Sequence, residues 1–222
     1  MAVTKVFAFD AYGTLFDVHA AASAERDKIG VNWERFSQTW RQKHLEYTWI
    51  HAQTGRMVSF WTLAQRSLDF ASSMVGGIPA DVRERLLRSY RVMSAYPEVG
   101  EVLDGLKQKG VKLAILSNGD PDMLSEAVEG AGLSGVFDAV ISVVEVAVFK
   151  PDMAVYGLVS ARFECEASEV TFLSSNRWDV AGAAVFGFQT VWVNRTGMPD
   201  EYPDMPAGSI LTDLKGISQR SA

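Results

Sequence analysis

The sequence predicts an α/β protein: a three-layer core on a parallel sheet, with an inserted all-helical cap subdomain. Three observations lead there. Short apolar, β-branched segments alternate with helix-like stretches, the pattern of βαβ units. One long stretch, from about 16 to 96, breaks the alternation and holds no convincing strand. Polar residues gather just after the strand candidates, where open α/β sheets keep their sites.

The first strand candidate is Val6–Phe9, a short apolar run that Gly13 breaks into a tight loop. Asp10 therefore sits at the strand's C-terminal mouth. The interrupting stretch holds four of the six tryptophans: Trp33, Trp40, Trp49 and Trp61. Trp33, Phe36, Trp40 and Tyr47 recur at roughly helical spacing, with Asn32 as a candidate N-cap and Glu34 in the first turn. Pro97 marks the return to alternation. Helices are then expected near 98–109, 121–131, 152–162 and 178–187. Strands are expected at Val111–Leu116, Val140–Val144, Val170–Leu173 and Thr190–Val193. A last strand and a frayed end fill Gly208–Ala222. The expected division is a core of 1–15 and 97–222 and a cap of 16–96. Right-handed crossovers would gather the strand C-termini on one edge.

Composition narrows the class. The chain has 222 residues, a formal net charge of −6 and no basic run, so nucleic acid is not an expected partner. No apolar stretch approaches a membrane span, and the start lacks a signal-peptide pattern. Cys165 is the single cysteine, which excludes an internal disulfide and fits a reducing, cytoplasmic setting. His19, His44 and His51 have no metal-ligand spacing and read as surface or packing residues.

Four loops after four strand candidates carry the polar residues. The first gives Asp10 and Thr14, and the second Ser117, Asn118 and Asp120. The third leads to Lys150-Pro151, and the fourth gives Ser174-Ser175-Asn176 and Asp179. Parallel strands would bring all four to one edge. Plainer readings stand beside these. Thr14 could only close its loop, Asp120 could cap a helix starting at Pro121, and Lys150 could be a surface lysine; in the insertion, Arg41 could be a solvated helix residue.

In this order the loops resemble the haloacid dehalogenase superfamily over nearly the full length. Asp10 with Thr14 matches the first motif, Ser117 the second, Lys150 the third and Asp179 the fourth. The resemblance implies a Rossmann-like core. Phosphatases of the superfamily carry a second Asp two residues after the nucleophile; here that place is Tyr12. An alkoxide leaves poorly without a proton, whereas a halide leaves as a stable anion. Metal-dependent relatives also carry an acid four residues before the Asp179 position; here it is Ser175. A hard divalent cation wants several anionic oxygens, and this site offers fewer. The strings Phe9-Asp10-Ala11-Tyr12-Gly13-Thr14-Leu15-Phe16-Asp17 and Leu173-Ser174-Ser175-Asn176-Arg177-Trp178-Asp179 are similar to one branch, the L-2-haloacid dehalogenases. So is Trp40-Arg41-Gln42-Lys43-His44-Leu45-Glu46-Tyr47-Thr48 in the insertion.

The resemblance implies hydrolytic, metal-independent dehalogenation of short (S)-2-haloacids, with inversion and no cofactor. Asp10 would attack carbon and form an ester that water then opens. Arg41 with Asn118 would receive the halide, and Ser117 the substrate carboxylate. Lys150 would hold Asp10 ionised, while Ser174, Asn176 and Asp179 position the water. Tyr12, Leu45, Phe60 and Trp178 would wall the pocket, and Tyr156 would support the site or simply pack. The expected partners are a 2-haloalkanoic acid, water and halide; a homodimer stays open. Three alternatives also stay open: opening of a strained-ring acid, a magnesium-dependent phosphatase, and a binding module on a retired catalytic fold.

Overall fold

A computed structural model describes residues 3–217. Six strands form one all-parallel sheet in the order β3-β2-β1-β4-β5-β6. They are β1 (Val6–Phe9), β2 (Lys112–Ser117), β3 (Ala139–Ser142), β4 (Val170–Ser174), β5 (Gln189–Val193) and β6 (Ser209–Leu211). β1 lies at the centre, with Phe9 paired to Ile115 on one side and Leu173 on the other. All four of its residues are buried, as a strand covered on both faces requires. The chain adds strands outward from β1 in both directions, so the order reverses between β1 and β4. That is the switch point where such sheets open a crevice beyond their C-terminal ends.

Five helices lie between β1 and the next core helix: α1 (Ala20–Ala24), α2 (Arg26–Ile29), α3 (Trp33–Thr54), α4 (Phe60–Met74) and α5 (Ala80–Arg91). α3 buries Phe36, Ser37, Trp40, His44 and Thr48, which recur every three or four residues on one stripe. It packs along α4, where the Trp40 indole donates to the Ala64 carbonyl at 2.9 Å. Asn32 occupies the N-cap position of α3 without a side-chain capping bond. Ser59 does cap α4, its hydroxyl accepting from Thr62 N at 3.1 Å. The chain leaves and re-enters the core side by side. Phe16 bridges Ala95, Tyr96 N donates to Leu15 O at 2.9 Å and Asp17 N to Ser94 O at 3.1 Å. The sheet is covered by α6 (Val99–Gln108), α7 (Pro121–Gly130), α8 (Met153–Phe163) and α9 (Arg177–Phe186).

Two expectations need correction. The third strand stops at Ser142 instead of reaching Val144. The Ser142 hydroxyl accepts from Val144 N at 3.2 Å and turns the chain into a 3-10 helix, Val143–Glu145. After β6 the chain is not frayed as far as 217: Leu214 and Ile217 are buried in a 3-10 turn. The expected end over 218–222 lies outside the described residues. Among the described residues no helix is long and apolar enough to cross a membrane.

Candidate active site

Asp10 is the first residue beyond β1, and its N–H still bonds Leu173 O at 2.9 Å. Only 6% of it is exposed. Its two carboxylate oxygens have different surroundings. Oδ2 accepts from Asn176 Nδ2 at 2.8 Å, Thr14 Oγ1 at 3.0 Å and Ser174 Oγ at 3.4 Å. Oδ1 faces the Lys150 ammonium at 3.3 Å. Three donors fix the carboxylate through one oxygen and leave the other with lone-pair capacity. Gly13 makes the turn possible, with φ of 92° and only 3.1 Å from its Cβ position to Ser175 Oγ. Thr14 Oγ1 also accepts from Ser175 N at 2.8 Å, which joins the first loop to the fourth.

Lys150 is 1% exposed and is held by charge on both sides. Nζ donates to Asp179 Oδ2 at 2.8 Å and lies 4.9 Å from the Phe172 ring centre. The Tyr156 hydroxyl donates to Asp179 Oδ1 at 2.8 Å. Asp179 is fully buried, and burial pushes its pKa up; nearby Asp10 adds to this, while Lys150 and Tyr156 oppose it. One ammonium thus serves two carboxylates in a nearly dry space.

Arg41 enters from α3. Its Nη2 donates to Tyr12 O at 2.8 Å and to Asn176 Oδ1 at 3.4 Å. Its Nη1 is buried and has no hydrogen-bond partner among the described residues. A buried, unpaired guanidinium N–H is a donor ready for an anion. The side chain that Arg41 meets is Asn176, where Asn118 was the expected companion. The Asn118 carbonyl oxygen instead accepts from Lys150 N at 2.9 Å. Ser117 is fully buried, and its hydroxyl accepts from Gly119 N at 3.1 Å, so it shapes its own loop.

The apolar wall comes from both sides. The Tyr12 ring stacks on Tyr90 at 5.8 Å between centroids and tilts against Phe60 at 5.2 Å. Its hydroxyl is buried and unpaired among the described residues, and burial drives its pKa well up. It stays neutral at ordinary pH. Leu45 and Trp178 are half-buried, and Trp178 meets Trp49 edge-on at 5.5 Å. Gly119 lies flat against Tyr12, since a Cβ there would come within 2.8 Å of the ring.

Sequence reasoning missed several contributors. Asp120 begins α7 yet makes no side-chain capping bond to it. Its carboxylate accepts from Phe60 N at 3.0 Å and Trp61 N at 2.8 Å, the first two residues of α4. His44 is buried between the Phe60 carbonyl and the Tyr90 hydroxyl, each at 3.1 Å. A carbonyl only accepts, so Nε2 carries the proton and Tyr90 donates to Nδ1. Burial pushes the His44 pKa down to about 3, which keeps the ring neutral. Nothing local in the sequence signals these pairings. Among the described residues no three His, Cys, Asp or Glu side chains cluster as a metal site.

Comparison with known proteins agrees with this geometry. Residues 4–187 match a family model described as haloacid dehalogenase-like hydrolase. An (S)-2-haloacid dehalogenase 1 of Pseudomonas sp. (strain CBS-3) is 42% identical over 95% of this chain and 93% of its own length. An (S)-2-haloacid dehalogenase 4A of Burkholderia cepacia is 40% identical over 94% of this chain and 91% of its own. The structure of L-2-haloacid dehalogenase from Xanthobacter autotrophicus with chloropropionic acid covalently bound superposes with a TM-score of 0.86. It is 34% identical, with 98% of each chain covered.

Proposed function

The chain belongs to the haloacid dehalogenase-like hydrolases, and we propose that it is an (S)-2-haloacid dehalogenase working through an ester on Asp10. The observation that carries this is the Asp10 carboxylate, pinned through Oδ2 with lone-pair capacity left at Oδ1, and joined through Asn176 to Arg41, whose Nη1 is unpaired among the described residues. Within the described residues, the chain up to 15 and from 97 onward acts as the core and 16–96 as the cap.

Asp10 Oδ1 attacks the carbon bearing the halogen from the side opposite the halide. A C–O bond forms as the C–X bond breaks, and the configuration inverts. The electron pair leaves with the halide, which Arg41 receives; its fixed charge and planar fork suit an anion that develops in the transition state. Water then attacks the Asp10 carboxyl carbon, and Asp179 draws off its proton, helped by the pKa that burial has raised. The products are an (R)-2-hydroxyacid, halide and a proton. Ser174 and Asn176 hold the water, and Tyr12, Leu45, Phe60 and Trp178 enclose the organic part. Tyr12 and Ser175 stand where metal-dependent phosphatases carry acids, which supports a reaction without a metal ion. The lone Cys165 supports a cytoplasmic setting, and a homodimer fits the habit of the family.

Isotope tracing tests the covalent step. With enzyme in excess in oxygen-18 water, the first hydroxyacid should carry ordinary oxygen, and the peptide spanning Val6–Arg26 should gain label at Asp10. Labelled first product beside an unlabelled Asp10 would overturn the mechanism.

A further inference from the structure

We propose that Asp120 is a positioning residue that sets the width of the substrate pocket. It does so by clamping the start of α4, and with it Phe60, onto the loop that carries Ser117 and Asn118. The clamp stands on geometry; its effect on substrate choice rests on the dehalogenase reading.

The first turn of any helix has N–H groups without partners inside the helix. In α4 they are shared between two acceptors. Ser59 takes Thr62 N, and Asp120 takes Phe60 N and Trp61 N. The carboxylate comes from a loop some 60 residues further along the chain and is only 8% exposed. Negative charge at the positive end of a helix is favourable. Asp120 spends none of its side-chain bonding on α7, the helix that it begins. Its two acceptors point across to the cap instead.

That loop also meets other parts of the pocket. Gly119 lies against the Tyr12 ring, and its carbonyl accepts from Ser142 Oγ at 2.7 Å. Asn118 holds the backbone of Lys150. Phe60 packs directly on Tyr12, ring centroids 5.2 Å apart, and on His44 at 4.0 Å. A second tether flanks the clamp: Arg91 reaches Asp122 and Glu126 at 2.6 Å each, and lies over the Trp61 ring at 5.0 Å. With that tether intact, loss of the Asp120 bonds frees the start of α4 without detaching the cap. Phe60 can then withdraw from Tyr12, and a longer acid fits.

The test compares halide release from (S)-2-bromopropionate and (S)-2-bromohexanoate by the full-length protein, its Asp120→Ala variant and its Asp120→Asn variant. The kcat/KM preference for the short acid should fall about tenfold in Asp120→Ala, chiefly through KM, since two charge-assisted bonds are lost. Asp120→Asn keeps one acceptor oxygen and should fall between. Amide exchange at Phe60 and Trp61 should quicken, while exchange at Lys150 N stays slow. An equal loss on both acids in both variants would make Asp120 a plain stability residue and overturn the proposal. If Asp120→Ala does not fold, Asp120→Asn carries the same comparison. If the parent protein releases no halide from either acid, the dehalogenase reading fails separately. Amide exchange then decides the clamp, and unchanged rates at Phe60 and Trp61 overturn it.

Discussion

Replacing Lys150 by Met removes the single cation that Asp10 and Asp179 share. The side chain keeps similar length over Phe172, so the main change is electrostatic. Leaving a buried charge without its partner costs about 3–5 kcal/mol. A buried carboxyl escapes part of that by holding a proton, and at about 1.4 kcal/mol per pKa unit the cost equals roughly 2–3.5 units of further upward shift. In the parent protein burial already raises the Asp179 pKa to about 6, and Lys150 works against that rise. A raised carboxyl pKa in the fold means that the folded protein holds a proton the unfolded chain has released. Stability from that proton is full below the unfolded pKa and is lost as pH climbs through the folded one. The variant loses it over a higher window than the parent. Its deficit should therefore be small at pH 5 and grow by about 3 kcal/mol by pH 8.5. Urea unfolding of both proteins at the two pH values measures it. Equal deficits at both would place the loss in packing against Phe172 and refute the shared-cation account.

Other consequences are equally direct. Arg41→Lys keeps the charge and loses the fork, so halide release should slow more than about tenfold, a barrier increase above about 1.4 kcal/mol; near-parental turnover would leave Arg41 as a structural tie to the Tyr12 carbonyl. Tyr156→Phe removes the donor on Asp179 Oδ1, which helps hold that carboxyl down. Its acid limb of kcat should move to higher pH, and an unmoved limb would detach Asp179 from the proton transfer. Turnover of (S)-2-chloropropionate should survive excess chelator, whereas loss on chelation with recovery in magnesium would point to the phosphatase branch.

The strands were legible because a parallel strand buried on both faces must be a short apolar run. Val6–Phe9 and Val170–Leu173 needed no further clue. Val143 and Val144 misled because β-branched residues look like strand wherever they stand. The Ser142 hydroxyl, which both bends the chain and donates to Gly119 O, decided otherwise. The charged centre was legible as residue types after strands, and motif resemblance added Tyr156. The roles of Asn118 and Asp120 were not. A carboxylate before a proline at a helix start reads as a local cap, and no pattern tells that its partners lie on another helix. Likewise the Asn118 carbonyl is claimed by a backbone N–H 32 residues away. Side chains that join distant segments leave no periodic trace.

The crossing at Phe16 and Ala95 has a bearing on how such a molecule can change. The chain departs and returns through one narrow seam, closed by backbone bonds between neighbouring segments. Everything threaded out between those points is a detour that the sheet does not count. Doubling a detour's length costs only about 0.6 kcal/mol in closure entropy. Helices there can be lengthened, shortened or traded while the strand-end loops keep their places. New substrates can then be reached by recutting the lid, with the nucleophile left alone. An exchanged lid inherits two demands: a cation where Arg41 enters from α3, and a bare helix start for the Asp120 carboxylate.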